Sequence, residues 1–305
     1  MPDHMENTLI VLPGPTGVGK TEYALELAAR LQCDIISCDS RQFYREMKIG
    51  TAAPDEGQMA RVKHHFVSFL SVTDYYSISL YERDVIALLP SLFSENPVAV
   101  MTGGSMLYMD AVCRGMDDIP DTDPAVREKY MGMYQKEGIA GLRLALKMLD
   151  PVHYARVDLH NPRRIMRALE ITESTGKPYS SFLTAPTRER NFRIIKAGLT
   201  RERGDLYSRI DRRVDIMLEN GLEEEAASLI SYRGLNALNT VGYREMFSWF
   251  DGMITREEAV RLIKRNSRRY ARKQLTWWNR DSEIKWFDAS CGGEITSWIE
   301  SRLGV

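Results

Sequence analysis

The sequence predicts an α/β fold, a parallel sheet flanked by helices and interrupted by an all-helical insertion, and three observations carry that prediction. The first is the stretch Gly14-Pro15-Thr16-Gly17-Val18-Gly19-Lys20-Thr21. It follows the apolar run Thr8–Leu12 and opens a stretch, residues 22–31, with apolar residues at helical spacing. A strand, tight loop and helix in that order, with the spacing G-x-x-x-x-G-K-T, turn consecutive backbone N–H groups toward one anion at a helix N-terminus. Lys20 adds a mobile charge and Thr21 a hydroxyl for Mg²⁺. The second observation is the recurrence of short apolar runs at residues 34–40, 97–101 and 192–199, separated by helical patterns. The third is residues 117–187, helical in period and without a convincing strand. The expected division is a P-loop NTPase-like core, residues 1–120 with 188–305, and a helical insertion at 121–187.

Composition narrows the class. With 305 residues, 44% of them hydrophobic and 27% charged, the chain can bury a full core. No apolar run approaches the length of a membrane span, and residues 1–7 lack the basic and apolar regions of a leader, so a cytoplasmic protein without a membrane partner is expected. The four cysteines show no C-x-x-C spacing, which points to reduced thiols. A net charge of -1 hides segregation: acid gathers at 117–123 and 219–225, and base gathers in three places that suit a polyanion.

Taken in order, residues 34–40 read as a strand ending on Asp39 and Ser40. Strand ends beside a phosphate loop are where an open α/β sheet places its chemistry, so Asp39 is a catalytic candidate; the alternative is an Asx turn. Residues 50–54 read as a loop and 64–67 as a further strand. There His64 and His65 point to opposite faces, a poor metal pair with one ring packed and the other solvated. Residues 75–93 carry a helix signal with Ser79 as N-cap. The strand at 97–101 then runs into Thr102-Gly103-Gly104-Ser105. P-loop ATPases and GTPases usually place a Mg²⁺-holding aspartate there, and its absence counts against ordinary ATP hydrolysis.

In the insertion, Pro162 falls in the first turn of a helix that carries Arg163, Arg164 and Arg167. Residues 205–220 form an amphipathic helix with Arg209, Arg212 and Arg213, and Gly221 suits its C-cap. A guanidinium fork matches phosphate oxygens, so one of these arginines is expected to face the loop. Residues 240–245 read as a turn. Residues 261–273 carry seven basic residues and no acidic one, followed by Trp277 and Trp278. A basic helix beside aromatics suits phosphate contact with base stacking; the alternative is a solvated helix whose tryptophans are core.

The order GPTGVGKT, DSRQFY, IGTA, HHF, GGSMLY, R-R-x-x-R, TGKP, VGYRE and RKQLTWW resembles the tRNA dimethylallyltransferase (tRNA isopentenyltransferase) family in its bacterial form, over nearly the whole chain. The resemblance implies transfer of a dimethylallyl group from dimethylallyl diphosphate to N6 of adenosine 37 in tRNAs reading UNN codons, with Mg²⁺ and release of diphosphate. The nucleotide-binding loop, residues Gly14, Pro15, Thr16, Gly17, Val18, Gly19, Lys20 and Thr21, then holds a diphosphate leaving group rather than ATP, with Mg²⁺ on Thr21. Asp39 takes the N6 proton, and Arg209 or Arg213 joins Lys20 on the leaving group. Contacts to the tRNA anticodon stem-loop are implied for Asp39, Ser40, Arg41, Gln42, Ser105 and Arg127. Further contacts fall on Arg163, Arg164, Ile165, Met166 and Arg167, and on Asn239, Thr240, Val241, Gly242, Tyr243 and Arg244. Ser105 replaces the usual threonine and keeps its hydroxyl. A monomer is expected. A P-loop kinase of a nucleotide or small metabolite, with Asp39 deprotonating a hydroxyl, is the alternative activity, and an RNA-binding protein without catalysis is a third reading.

Overall fold

Every residue of Thr8–Leu12 is buried, which makes this strand, β1, the centre of the sheet. The computed structural model describes residues 6–117, 119–120, 122–184 and 188–305. The first five residues, Asp121 in the acidic stretch and residue 187 at the expected end of the insertion lie outside that set. The remaining strands are β2 (Ile35–Ser37), β3 (His64–His65), β4 (Val98–Thr102), β5 (Arg193–Thr200) and β6 (Lys285–Asp288). They lie in the order β3-β2-β4-β1-β5-β6 and every pairing is parallel. Parallel sheets need cover on both faces, and alternate β1 residues supply it. Ile10 and Leu12 join one core with the helices Lys20–Leu31 and Gly292–Leu303, while Leu9 and Val11 join another with Ile78–Glu95 and Met106–Arg114. All strands therefore end at one edge, and the loops after β1, β2 and β4 meet there.

The chain divides into two compact units, Met1–Cys113 with Arg190–Val305, and Arg114–Glu189. The second contains the helices Pro124–Leu149, Pro151–Tyr154 and Pro162–Thr175, and no strand among its described residues. Its core is built from Tyr130, Leu142, Leu146, Ile165, Ala168 and Leu169. The first of these helices breaks at Gly138, where φ is 65°. That left-handed conformation suits glycine, which lacks the Cβ that would clash.

Several local expectations are corrected. The second strand stops at Ser37, because the chain turns away at Asp39 rather than continuing to Ser40. Ser77, not Ser79, caps the helix Ile78–Glu95. Ser77 has extended backbone and its Oγ accepts the Leu80 N–H, whereas Ser79 already lies inside the helix. His64 and His65 are both half-buried and both bonded, one ring to the Val62 carbonyl and the other to Asp34, each at 2.7 Å. The turn expected at 240–245 ends at Gly242, and a helix, Tyr243–Phe250, starts beyond it. Glu245 accepts the Gly242 N–H at 2.9 Å and supplies the start signal.

One carboxylate shapes the edge of the sheet near the phosphate loop. Glu225 accepts the N–H groups of Lys48 at 2.9 Å and of Ile49 and Gly50 at 2.8 Å, and the Tyr243 hydroxyl at 2.6 Å. The Tyr243 ring fills the space beside Gly50, where an added Cβ would meet it at 2.7 Å. Glu225→Ala leaves these donors unanswered and is expected to cost about 3 kcal/mol of stability, measured by urea unfolding. A loss below about 0.5 kcal/mol contradicts this role.

Candidate functional site

The loop between β1 and the helix Lys20–Leu31 turns on Gly17 and Gly19, with φ of 81° and 107°. Ile210 packs so closely under Gly17 that an added Cβ would lie 2.7 Å from its Cγ1. Lys20 opens the helix and donates its Nζ to the carbonyls of Gly14 at 2.6 Å and Pro15 at 2.9 Å. Burial, and then the neighbouring Arg213, bring the Lys20 ammonium down to about 7, with Asp39 opposing the shift.

Asp39 stands just beyond β2, and its Oδ1 accepts the Arg41 N–H at 3.1 Å. Burial raises its pKa; the Arg41 N–H and the charges of Lys20, Arg213 and Arg41 offset part of that rise. The carboxylate lies on the wall of two adjoining cavities. The smaller, about 80 Å³, includes Lys20, Thr21, Gln42 and His64. The larger, about 320 Å³, includes Ser40, Arg41, Ser105, Asn239 and Arg244. Thr16, Asp39, Arg213 and Tyr270 belong to both. The two cavities thus meet at one buried carboxylate.

The two candidate arginines separate. Arg213 donates to Thr16 Oγ1 at 3.3 Å and to the Thr51 carbonyl at 3.0 Å, and it lines both cavities. Arg209 donates its Nε to the Gly17 carbonyl at 3.0 Å and lines neither of these two cavities. Ser105 Oγ accepts the Ser40 N–H at 2.9 Å and donates to Ser40 Oγ at 3.0 Å. Arg41 is turned to the carbonyls of Asn236 and Ala237 at 2.8 and 3.1 Å. Gln42 donates to the carbonyls of Thr51 and Ala52, at the phosphate end of the site. Thr240, Val241 and Gly242 join Asn239 and Arg244 around the larger cavity.

Two of the residues with expected nucleic-acid contacts have side chains in the core. Tyr243 is 0% exposed and bonded to Glu225, and Ile165 is 0% exposed in the core of the helical unit. Helical period explains the second: the face that buries Ile165 leaves Arg163 and Arg164 exposed, while Met166 packs at the edge of that core. Arg127 and Arg167 flank Glu170 at 3.9 and 3.8 Å. The alternative reading of the tryptophans as core side chains describes both of them. Trp278 is 2% exposed in the core, and Trp277 packs against the same core while donating to Asp110 at 2.7 Å. Much of the charge on this basic helix, Arg256–Trp278, is answered within the protein: Lys264 pairs with Asp215, Arg268 with Asp211 and Arg261 with Glu258.

Thr51, Tyr270 and Gln274 line the site without having been expected there. The i, i+4 spacing of Tyr270 and Gln274 on a helix was their only signal. No group of three His, Cys, Asp or Glu side chains able to hold a metal occurs among the described residues. The smaller cavity offers the Thr21 hydroxyl. A single hard oxygen fits Mg²⁺, which keeps waters and binds through few protein ligands plus phosphate oxygens.

The IPP transferase family profile matches residues 42–281. A tRNA dimethylallyltransferase 1 of Phocaeicola vulgatus is 53% identical over 297 residues, covering 97% of this chain and 99% of that protein. A tRNA dimethylallyltransferase 2 of Porphyromonas gingivalis is 57% identical over 282 residues, covering 92% and 94%. Among solved structures, a tRNA isopentenylpyrophosphate transferase from Bacillus halodurans superposes with a TM-score of 0.71 at 35% identity, covering 98% of this chain and 97% of that one.

An anion held beside Lys20 is expected to bind with an affinity that depends on pH. The Lys20 ammonium titrates at about 7, and a diphosphate beside it favours the charged form and raises that value. The affinity gained from Lys20 is therefore complete below pH 7 and falls as pH rises. Calorimetry with inorganic diphosphate at pH 7 and pH 9 should show the wild type losing about tenfold or more relative to Lys20→Met. Equal pH dependence in the two proteins contradicts this.

Proposed function

The chain belongs to the IPP transferase family, and from that premise we propose that it transfers the dimethylallyl group of dimethylallyl diphosphate to N6 of adenosine 37 in tRNAs that read UNN codons. The observation that carries this reading is the position of Asp39 on the wall shared by the two cavities. A diphosphate in the loop of residues 14–21 puts its allylic carbon toward the larger cavity, where a flipped-out adenine finds room. The exocyclic amine of adenine is a weak nucleophile because its lone pair is delocalised into the ring. Asp39, with its basicity raised by burial, accepts the N6 proton as the N–C bond forms and the C–O bond to diphosphate breaks.

Charge that builds on the leaving diphosphate meets the loop amides, Lys20 and Arg213. Arg213 takes this role in preference to Arg209 because it lines both cavities and Arg209 lines neither. Mg²⁺ bound at the Thr21 hydroxyl supplies further positive charge to the diphosphate when present. Ser105 holds Ser40, and with it the segment that follows Asp39. Asn239 and Arg244 are suited to the nucleotide, and Arg163 and Arg164 to phosphates of the anticodon stem. We place the enzyme in the cytoplasm as a monomer. No helix among the described residues is long and apolar enough to cross a membrane. The kinase alternative is disfavoured, because the family and the relatives matched over nearly the whole chain are transferases of this kind.

The test is to incubate the protein with Mg²⁺, unmodified tRNA reading UNN codons and either dimethylallyl diphosphate or ATP, then digest the tRNA and weigh its nucleosides. Dimethylallyl adenosine is the expected product; ATP consumption without modified adenosine overturns the reading. Asp39→Ala should slow the transfer by about a hundredfold or more and leave tRNA affinity unchanged. Equal loss of both recasts Asp39 as a recognition residue.

A further inference from the structure

Gln274 belongs to the helix Arg256–Trp278, far along the chain from the phosphate loop, yet it is 0% exposed and reaches into the site. Its Oε1 accepts the N–H of Thr16 at 2.9 Å, and its Nε2 donates to the Gly104 carbonyl at 2.9 Å. The Tyr270 hydroxyl donates to that same carbonyl at 2.9 Å. Only one amide orientation satisfies both neighbours, since the oxygen must meet an N–H and the nitrogen a carbonyl. A primary amide is suited to this place because it donates and accepts at fixed spacing without carrying a charge into a buried site.

The two groups joined by this amide belong to the two halves of the reaction. Thr16 is part of the loop that cradles the leaving diphosphate, and Gln274 occupies one of its backbone donors. Gly104 lies against the base: an added Cβ there would be 3.2 Å from Asp39 Oδ2 and 2.8 Å from Gln274 Nε2. Gly103 packs on the Cys38 carbonyl group, where an added Cβ would lie 2.1 Å away. Further bonds close the contact, from the Cys38 N–H to the Thr102 carbonyl and from the Ser105 N–H to the Cys38 carbonyl. A short relay thus runs from Thr16 through Gln274 and Gly104 to Asp39.

We infer that Gln274 is a positioning residue that sets the distance between the diphosphate loop and the Asp39 carboxylate. The inference rests on the transferase reading above. Proton removal and departure of the diphosphate occur in one displacement, so the base and the leaving-group site must be held in register. Misplacement by about 1 Å is enough to cost on the order of a hundredfold in rate. The amide acts through the two loops and contacts neither reactant in this role.

The test uses the full chain, with kcat and KM measured for tRNA prenylation in Gln274→Glu and Gln274→Met. An ionised glutamate still accepts from Thr16 but cannot donate to Gly104. Gln274→Glu should therefore lower kcat about tenfold or more at pH 8 and leave KM for dimethylallyl diphosphate within about twofold. As pH falls, the protonated carboxyl regains a donor, so the ratio of its kcat to that of the wild type should rise. Gln274→Met preserves volume and loses both bonds, so it should lower kcat and raise KM; it serves alone if the glutamate variant does not fold. Rates are taken per folded molecule, with the folded fraction set by circular dichroism. Both variants within about twofold of wild-type kcat, or a Gln274→Glu ratio flat with pH, overturn the inference. A wild type that leaves tRNA unmodified overturns the transferase reading instead.

Discussion

Two cations and one carboxylate share a small site from which much of the water is withdrawn, and the surrounding fold makes that arrangement tolerable. Lys20 and Arg213 are both pushed toward their neutral forms by burial, and Asp39 is pushed the same way from the opposite sign. Asp39 steadies both cations and is steadied by them, while the two cations repel one another, and backbone groups add to the balance: the carbonyls of Gly14 and Pro15 for Lys20, the Thr51 carbonyl for Arg213 and the Arg41 N–H for Asp39. The net positive charge that remains suits an anion, and the raised basicity of Asp39 suits proton abstraction. A phosphate loop that served hydrolysis would need an ordered water and an aspartate to help hold the metal. Here the same edge of the sheet offers a carboxylate beside an adjoining cavity.

The parallel sheet produces this convergence. Every strand ends at the same edge, so loops distant in sequence arrive together without strain in the strands themselves. Close approach is then a matter of glycine. Gly103 lets β4 hand the chain across the backbone of Cys38 and Asp39 at distances no side chain permits. Two of the helices contribute polar groups to the site. Gln274 enters from one of them and Arg213 from the other, beside Val214, which is core.

Much of this was legible in the sequence. The phosphate loop announces itself by a motif in the right strand and helix context, and β1, β4 and β5 by apolar runs within a residue or two of their observed bounds. Asp39 is visible because a carboxylate at a strand end beside such a loop has few other uses. What stayed hidden depends on partners remote in the chain. Glu225 sits in an acidic stretch that reads as surface charge until the N–H groups of residues 48–50 are brought to it. Gln274 sits in a stretch that reads as a nucleic-acid face until its helix is seen to bury it. Two of the seven basic residues at 261–273, Lys264 and Arg268, meet Asp215 and Asp211 of a different helix, pairings that the sequence does not announce. Ser77 and Ser79 are equally good caps by composition, and backbone conformation alone decides between them.

The central claim is that the loop at residues 14–21 receives a prenyl diphosphate rather than a nucleoside triphosphate, with Asp39 poised beside it. Competition calorimetry addresses it most directly, by titrating dimethylallyl diphosphate with Mg²⁺ into the protein in the absence and presence of saturating ATP. The account predicts tight binding that ATP does not displace. Full displacement by ATP, with ATP consumed in the absence of tRNA, contradicts it.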